Sequence, residues 1–471
     1  MRLIPYQEYR NCRLPWLHSI PAHWGLVQMK RVFVERVQKG CPDEPLLAAT
    51  QTKGVVPKDQ YGARTVVATK DLHLLKLVEP GDYVISLRSF EGGIEHSDYC
   101  GIISPAYTVL RPAPDIVDGY FRPLLKCEPF VSGLTLFVTG IREGQNIDYD
   151  RLSRSILPFP PRNEQRAIGS FLGTIVPYIN RLIRAKHRQI ELLNEQKQVI
   201  INRAVTRGLD PNVRLKPSGV EWLGDIPEHW EVVALGVRYW VQLGKMLDAK
   251  KITGDYLVPY LRNADVQWDR VNSDNLPMMD ICEHEYERYL VQPGDLLVCE
   301  GGDIGRSAFW NGSLPRCGYQ KALHRLRPRD TGREYPRFLF YVMFAASRQG
   351  VFVADGSENT IAHLTAEKLR HHRFAFPSME EQQHIACYLD VGTAGLTMAA
   401  EKVQQEIDLL REYRTRLIAD VVTGKLDVRG VELPDLEGAD IADDLGDSDF
   451  GSDTDQDDLP DAEEVEADDE D

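Results

Sequence analysis

The sequence predicts an α+β protein built twice over: two mostly-β α/β globular units joined by two long helical regions forming an antiparallel coiled coil, a pseudo-two-fold tandem repeat. Three observations predict it. First, motifs return at long offsets. Trp16-Leu17-His18-Ser19-Ile20-Pro21-Ala22-His23-Trp24 recurs as Trp222-Leu223-Gly224-Asp225-Ile226-Pro227-Glu228-His229-Trp230 after 206 residues. Pro80-Gly81-Asp82 recurs as Pro293-Gly294-Asp295 after 213, and Glu164-Gln165 and Val205-Thr206 recur as Glu381-Gln382 and Val422-Thr423 after 217. A period above two hundred residues is too long for a solenoid and marks a duplicated domain plus its following helix. Second, each copy carries short β-branched and aromatic runs between Gly/Pro turns. Third, each copy closes on a long stretch with apolar residues spaced by three and four.

The elements follow in order. Residues 1–158 form the first globular unit, with strands expected at 65–69, 83–87, 107–110 and 134–139 and a helix at 119–126. The first helical region, 159–217, opens after Pro160-Pro161 at Asn163-Glu164-Gln165. Residues 218–376 repeat the globular pattern, with strands at 258–261, 295–299 and 323–327 and a helix at 337–346. The second helical region is 377–430, and 431–471 form a tail. Gly173 and Pro177 in the first helical region, and Gly392 and Gly395 in the second, predict a short helix followed by a longer one in each copy. Beyond the break, Ile179, Leu182, Ile190, Leu193, Ile200 and Ala204 line one face, with Lys186 and Lys197 as polar gaps. Their counterparts are Leu396, Ala399, Val403, Ile407, Leu410, Leu417 and Val421, with Arg414 as the gap. That is a coiled-coil seam of about four heptads per copy. At 1.5 Å rise per residue, about 30 residues span roughly 45 Å.

Charge separates tail from body. The formal net charge of the 471 residues is −16, but residues 431–471 hold 20 acidic side chains and no Lys or Arg, leaving +4 on the remainder. A block so acidic and so poor in aromatics buries too little surface to fold, so the tail is expected to be disordered. A slightly basic body is compatible with nucleic acid. The eight cysteines, at 12, 41, 100, 127, 282, 299, 317 and 387, form no Cys-x-x-Cys pair, which points to reduced thiols in a cytoplasmic protein. No run of eighteen apolar residues and no signal-peptide core occurs, so no membrane partner is expected.

The chain lacks catalytic signatures. There is no phosphate-binding Gly-x-x-x-x-Gly-Lys-Ser/Thr loop, no Asp/Asn-Pro-Pro-Tyr/Phe methyltransferase motif and no glycine-rich cofactor fingerprint. Gly301-Gly302-Asp303-Ile304-Gly305-Arg306 follows a strand but opens no helical pattern and reads as a tight turn. Glu195-Gln196-Lys197 sits mid-helix and reads as a solvated pair, and no histidine spacing suggests a metal site. A non-catalytic protein is expected. What remain are polar loops at matched places. The candidate DNA-contacting residues are Arg88, Ser89, Arg142, Gln145 and Asn146 in the first unit, and Arg262, Asn263, Arg306, Gln320, Lys321 and Asn359 in the second. Arg, Asn and Gln make paired hydrogen bonds to base edges, whereas Lys and Ser suit phosphates.

Together, the paired Trp-Leu-x-x-Ile-Pro-x-His-Trp openings, the Pro-Gly-Asp turns, the Phe-Pro-x₃-Glu-Gln helix starts and Val422-Thr423-Gly424-Lys425-Leu426-Asp427 resemble the specificity subunit of type I restriction–modification systems. Tyr260-Leu261-Arg262-Asn263-Ala264-Asp265-Val266-Gln267-Trp268 resembles a segment common in that family's recognition domains. The resemblance covers about residues 14–430; the acidic tail has no counterpart in it. It implies that each globular unit is a target recognition domain reading half of a split site in double-stranded DNA, and that the helices fix the gap between the half-sites. It also implies two adenine-methylating modification subunits and restriction endonuclease subunits as partners, with S-adenosylmethionine, ATP and magnesium held by them and no cofactor by this chain. The alternative is a non-catalytic coiled-coil scaffold whose globular units bind proteins rather than DNA.

Overall fold

A computed structural model describes residues 3–60, 71–139, 146–247, 254–352 and 363–432. The chain divides into two compact units, Met1–Ala185 with Glu406–Asp471, and Lys186–Gln405. The division cuts across both helical regions, because each globular part packs against half of each long helix.

In unit 1 the relevant strands are β1 (Phe33–Arg36), β2 (Leu47–Thr50), β3 (Gly54–Pro57), β4 (Tyr83–Ile85), β5 (Glu95–His96), β6 (Gly101–Ile103) and β7 (Thr108–Pro112), with short helices α1 (Ser89–Gly92) and α2 (Asp118–Leu124). An antiparallel sheet runs β1-β7-β4-β5, with Val109 paired to Arg36 on one side and Val84 on the other. All three residues of β4 are buried, as a central strand covered on both faces requires. Beside the sheet, β2 and β3 form a hairpin, and Leu46 just before β2 bridges in parallel to Ile102 of β6. The expected strand at 65–69 lies outside the described residues. The expected strand at 134–139 is corrected: Leu134 ends the helix Glu128–Leu134, a 3-10 turn follows over Thr135–Phe137, and only Val138–Thr139 is extended. Alternating apolar residues had suggested a strand there, but Pro129 at the helix start and the buried Phe130 and Leu134 favour a packed helical turn.

Unit 2 repeats the plan with β8 (Tyr239–Leu243), β9 (Leu257–Leu261), β10 (Leu296–Cys299), β11 (Ser307–Phe309), β12 (Gly318–Tyr319) and β13 (Leu323–Pro328). The sheet order is β8-β13-β10-β11, matching unit 1 strand for strand, and β9 pairs in parallel with β12. The repeated Pro-Gly-Asp triplet opens the buried strand in both units. Gly81 and Gly294 adopt φ of +93° and +90°, a region open to glycine. The next residue, Asp82 or Asp295, is buried, accepts a hydrogen bond from the backbone N–H of Glu79 or Gln292, and takes two bonds from a guanidinium, Arg36 or Arg327.

The long helices are α3 (Arg162–Arg207) and α5 (Met379–Val422); α4 (Pro336–Arg348) packs in the core of unit 2. Both run unbroken, so the predicted division at Gly173/Pro177 and Gly392/Gly395 is corrected. Pro177 and Gly173, whose carbonyl it leaves without a donor, both lie on the exposed face, as do Gly392 and Gly395. On that face a freed carbonyl turns to water, and burial of the opposite side offsets the cost of a proline, about 3 kcal/mol in a helix interior. In unit 1, Ile168, Phe171, Leu172 and Val176 of α3 are buried; in unit 2, Ile201, Ala204 and Val205 of α3 share a core with Ile385, Ala386 and Leu389 of α5, Trp230 and Phe338. Ile179, Ala204, Val403, Ile407, Leu417 and Val421 are buried as the seam predicts, and Ile190, Leu193, Leu396 and Leu410 are half-buried. At two positions the neighbour is more deeply buried: Ile183 rather than Leu182, and Ile201 rather than Ile200. A 3.6-residue turn drifts against a strict heptad, so the contact line moves on by one residue.

The three polar gaps differ. Arg414, 8% exposed, donates to Asn180 Oδ1 at 2.6 Å in unit 1. Lys197 donates to Thr397 Oγ1 at 2.9 Å in unit 2, over the Phe344 ring, and burial lowers its pKa. From the first pair to the second, α3 advances by 17 residues and α5 retreats by 17, the order of an antiparallel pair. Lys186 is half-buried and engaged. No helix among the described residues is long and apolar enough to cross a membrane.

The repeated His-Trp and Glu-Gln motifs meet at the helix starts. Glu164 of α3 receives Trp24 Nε1 at 3.0 Å and lies 2.8 Å from His23 Nε2. Glu381 of α5 receives Trp230 Nε1 at 3.1 Å and lies 2.8 Å from His229 Nε2. The buried Gln165 and Gln382 each accept from a backbone N–H, Val117 or Tyr335, and donate to a carbonyl, Pro160 or Pro377. The far-separated motifs are two halves of one joint between a globular part and its helix.

Candidate nucleic-acid interface

In unit 2 the predicted residues converge because β9 and β12 run in parallel and end side by side. Leu261 pairs with Tyr319, and Gln320 N–H donates to Leu261 O at 3.0 Å, so Arg262-Asn263 and Gln320-Lys321 leave the same edge. The loop from β10 to β11 leans on this edge. Asn263 Nδ2 donates to Gly301 O at 2.9 Å, and Arg306 Nη2 donates to Asn263 O at 3.0 Å. The tight turn expected over Gly301–Arg306 is present, with Gly302 and Gly305 at φ of +73° and +83°. Its far side is held by Trp268 Nε1 on Asp303 at 2.6 Å. Arg262 makes two 2.9 Å bonds to Asp265. Arg262, Asn263 and Arg306 therefore brace the edge, whereas Lys321 is exposed and Gln320 half-exposed, neither with a side-chain hydrogen bond among the described residues. Burial raises the Glu300 pKa against the lowering effect of His363 and Lys321.

Unit 1 shows the same construction. The loop from β4 to β5 contains α1 and has the same length as the β10–β11 loop; in the shared strand register its Gly92 stands where Gly305 stands in unit 2, and Arg88-Ser89 where Gly301-Gly302 stand. Arg88, at the start of α1, is half-buried and engaged. Ser89 was expected to face outward, but it is 1% exposed and its Oγ accepts from Ser86 N–H at 2.8 Å; a short side chain one residue into a helix turns back to bond the backbone. Asn146 is exposed on the strand Asn146–Ile147, apart from these loops in sequence. Arg142, Gln145 and Asn359 lie outside the described residues.

Sequence reasoning passed over Gln51-Thr52-Lys53, the turn of the β2–β3 hairpin. The Gln51 side chain lies against Gly92, where a Cβ would come 2.8 Å from Gln51 Cγ, and donates to Glu91 Oε2 at 3.3 Å. In both units an amide side chain thus contacts a glycine of the loop after the central strand, Gly92 or Gly301. The signal available was a glutamine and a lysine near each other, the pair of residue types singled out at Gln320-Lys321. Beneath the turn, Lys126 Nζ donates to Gln51 O and to both oxygens of Glu95, each at 2.7 Å. Burial of Glu95 pushes its pKa up to about 7 despite Lys126.

Two sheets of one topology, each presenting a Gly-Gly loop against a parallel strand edge, define a tandem recognition protein on paired helices. Residues 227–409 match the family model of the type I restriction modification DNA specificity domain. The chain is 23% identical over 450 residues to the type I restriction enzyme MjaVIII specificity subunit of Methanocaldococcus jannaschii, covering 92% of this chain and 100% of that protein. It is 20% identical over 383 residues to the EcoKI specificity subunit of Escherichia coli, covering 76% and 78%. A chain solved in work on the complex assembly and conformational transition of the type I R-M system superposes with TM-score 0.63 at 17% identity, covering 86% of this chain and 99% of that one. Over most of its length the chain is thus similar to type I restriction enzyme specificity subunits.

Proposed function

We propose that this chain gives a type I restriction–modification complex its DNA sequence specificity, each unit reading one half of a split site in double-stranded DNA. The observation that carries the reading is the repeated loop edge: two copies of one surface suit two half-sites. In unit 2, Gln320 is the side chain for a base edge and Lys321 the one for a phosphate, with Arg262, Asn263 and Arg306 holding the edge in shape. In unit 1, Arg88 is placed on the corresponding loop. On this reading the chain is a non-catalytic cytoplasmic subunit. It assembles with two adenine-methylating modification subunits and with restriction endonuclease subunits, and those partners hold S-adenosylmethionine, ATP and magnesium.

The test is methylation mapping in a host carrying the chain and its cognate modification subunit, against a host without the chain. The expected result is a bipartite motif, methylated on both strands, that disappears without the chain. Methylation that stays the same without it would overturn the reading in favour of a protein-binding scaffold. Within that experiment, Gln320→Ala is expected to relax one base of one half-site, a loss of about 1–3 kcal/mol of discrimination. Lys321→Ala is expected to weaken binding evenly across sequences and to lower the salt slope by about one.

A further inference from the structure

We infer that the Gln51-Thr52-Lys53 turn is the sequence-reading tip of unit 1, Gln51 taking a purine edge and Lys53 the adjoining phosphate, with Lys126 and Glu95 as the residues that position it. The inference rests on the proposed function and adds to unit 1 a base-reading turn that the sequence candidates there, Arg88 among them, do not include.

Four observations support it. The turn follows the strand that leaves the parallel bridge Leu46–Ile102, as Arg262-Asn263 follows the strand paired in parallel in unit 2. Its amide side chain lies against Gly92 in the loop that follows the buried central strand, and in unit 2 the amide of Asn263 bonds Gly301 in the corresponding loop. The tip is rigid: Thr50 Oγ1 accepts from Lys53 N–H and donates to Gly54 O, both at 2.9 Å, and Gly54 takes φ of +73°. Finally, a buried ion pair stands beneath an outward-facing turn. Glu95 is 3% exposed and Lys126 10% by side chain, and the lysine's remaining bond goes to Gln51 O.

That third bond is informative. A buried lysine satisfied by one carboxylate stabilises nothing that an apolar pair would not, whereas a lysine that also fixes the carbonyl of Gln51 sets the direction of the side chain. The unit 2 sheet shows the contrast: Leu296 pairs with Phe309 as Tyr83 pairs with His96, which places the small apolar Ala308 at the register of Glu95. Glutamine can pair with both N6 and N7 of adenine in the major groove, and lysine serves phosphate as a point charge.

The experiment is methylation mapping with the full chain and its modification subunit, using Gln51→Ala, Lys53→Ala and the double substitution Lys126→Met with Glu95→Leu. Gln51→Ala is expected to lower discrimination about tenfold or more at one position of one half-site, leaving the other half-site and the gap unchanged. Lys53→Ala is expected to weaken DNA binding without changing the motif and to lower the salt slope by about one. The apolar pair is expected to fold, reported by an intact second half-site, and to degrade the same position as Gln51→Ala; a purely structural ion pair would leave the motif untouched. An unaltered motif in Gln51→Ala together with an unaltered salt slope in Lys53→Ala would overturn the assignment. If the unsubstituted chain directs no bipartite motif, it is the functional reading that fails. If Gln51→Ala loses both half-sites, Gln51→Glu supplies the answer, because a carboxylate keeps the shape and reverses base preference; an unchanged motif in it would also overturn the inference.

Discussion

Glu164→Ala is expected to destabilise unit 1 by about 3–5 kcal/mol, and Glu381→Ala to destabilise unit 2 by about 1–2 kcal/mol. The two glutamates occupy the same place in the repeat and face the same His-Trp pair, yet their surroundings differ. Glu164 is 2% exposed by side chain, and it receives the Tyr6 hydroxyl as well as Trp24 and His23, with Arg429 Nε 3.9 Å away. Removing it leaves two buried polar groups, the Tyr6 hydroxyl and the Trp24 indole N–H, without their acceptor, and burial together with the Glu164 carboxylate already holds the Tyr6 hydroxyl well above its usual pKa. Glu381 is 29% exposed, so water replaces much of what is lost. Chemical denaturation with hydrogen exchange resolved by unit measures both losses. Equal losses would show that the added Tyr6 and Arg429 contacts contribute nothing.

Acid is expected to loosen unit 2 through His324. This imidazole is fully buried on β13, Nε2 donates to Leu364 O at 2.5 Å, and Nδ1 has no hydrogen-bond partner among the described residues. Burial pushes its pKa down to about 4. A group whose folded pKa is depressed gives stability that is complete above its unfolded value, near 6.5, and is lost as pH falls through the folded one. The span amounts to about 2–4 kcal/mol. Its consequence reaches the DNA edge, since Leu364 N–H donates to Glu300 O at the root of the Gly-Gly loop. His324→Gln keeps a donor and removes the titration. Melting temperatures between pH 4 and 8 are expected to fall steeply for the unsubstituted chain below pH 6 and less steeply for the variant. Parallel curves would exclude His324 as the cause.

What could be read from the sequence followed the physics that produced it. The joints at Trp24/Glu164 and Trp230/Glu381 were visible as repeated motifs because indole, imidazole and carboxylate must recur together to satisfy one another. The seam was visible because burial against a second helix imposes a three-four spacing over many turns. The continuity of α3 through Pro177 was not, since local propensity says nothing of which face points to water. The loops were harder still. Ser89 and Arg88 look alike as polar residues, and only the turn-back of the serine hydroxyl tells them apart. Gln51 escaped because a four-residue strand carries no period, and its resemblance to Asn263 exists in space and not in spacing.

The polar gaps in the long helices have a wider meaning. Lys197 and Arg414 stand at the same place in the two copies, as do Asn180 and Thr397. Each helix thus carries a cation and, 17 residues before it, the acceptor that suits the other helix's cation. Complementarity here is palindromic: one stretch of sequence, copied once, is both lock and key. Duplication alone supplies a fitting partner, and a change at either position in the shared ancestor of the two copies would have been answered twice.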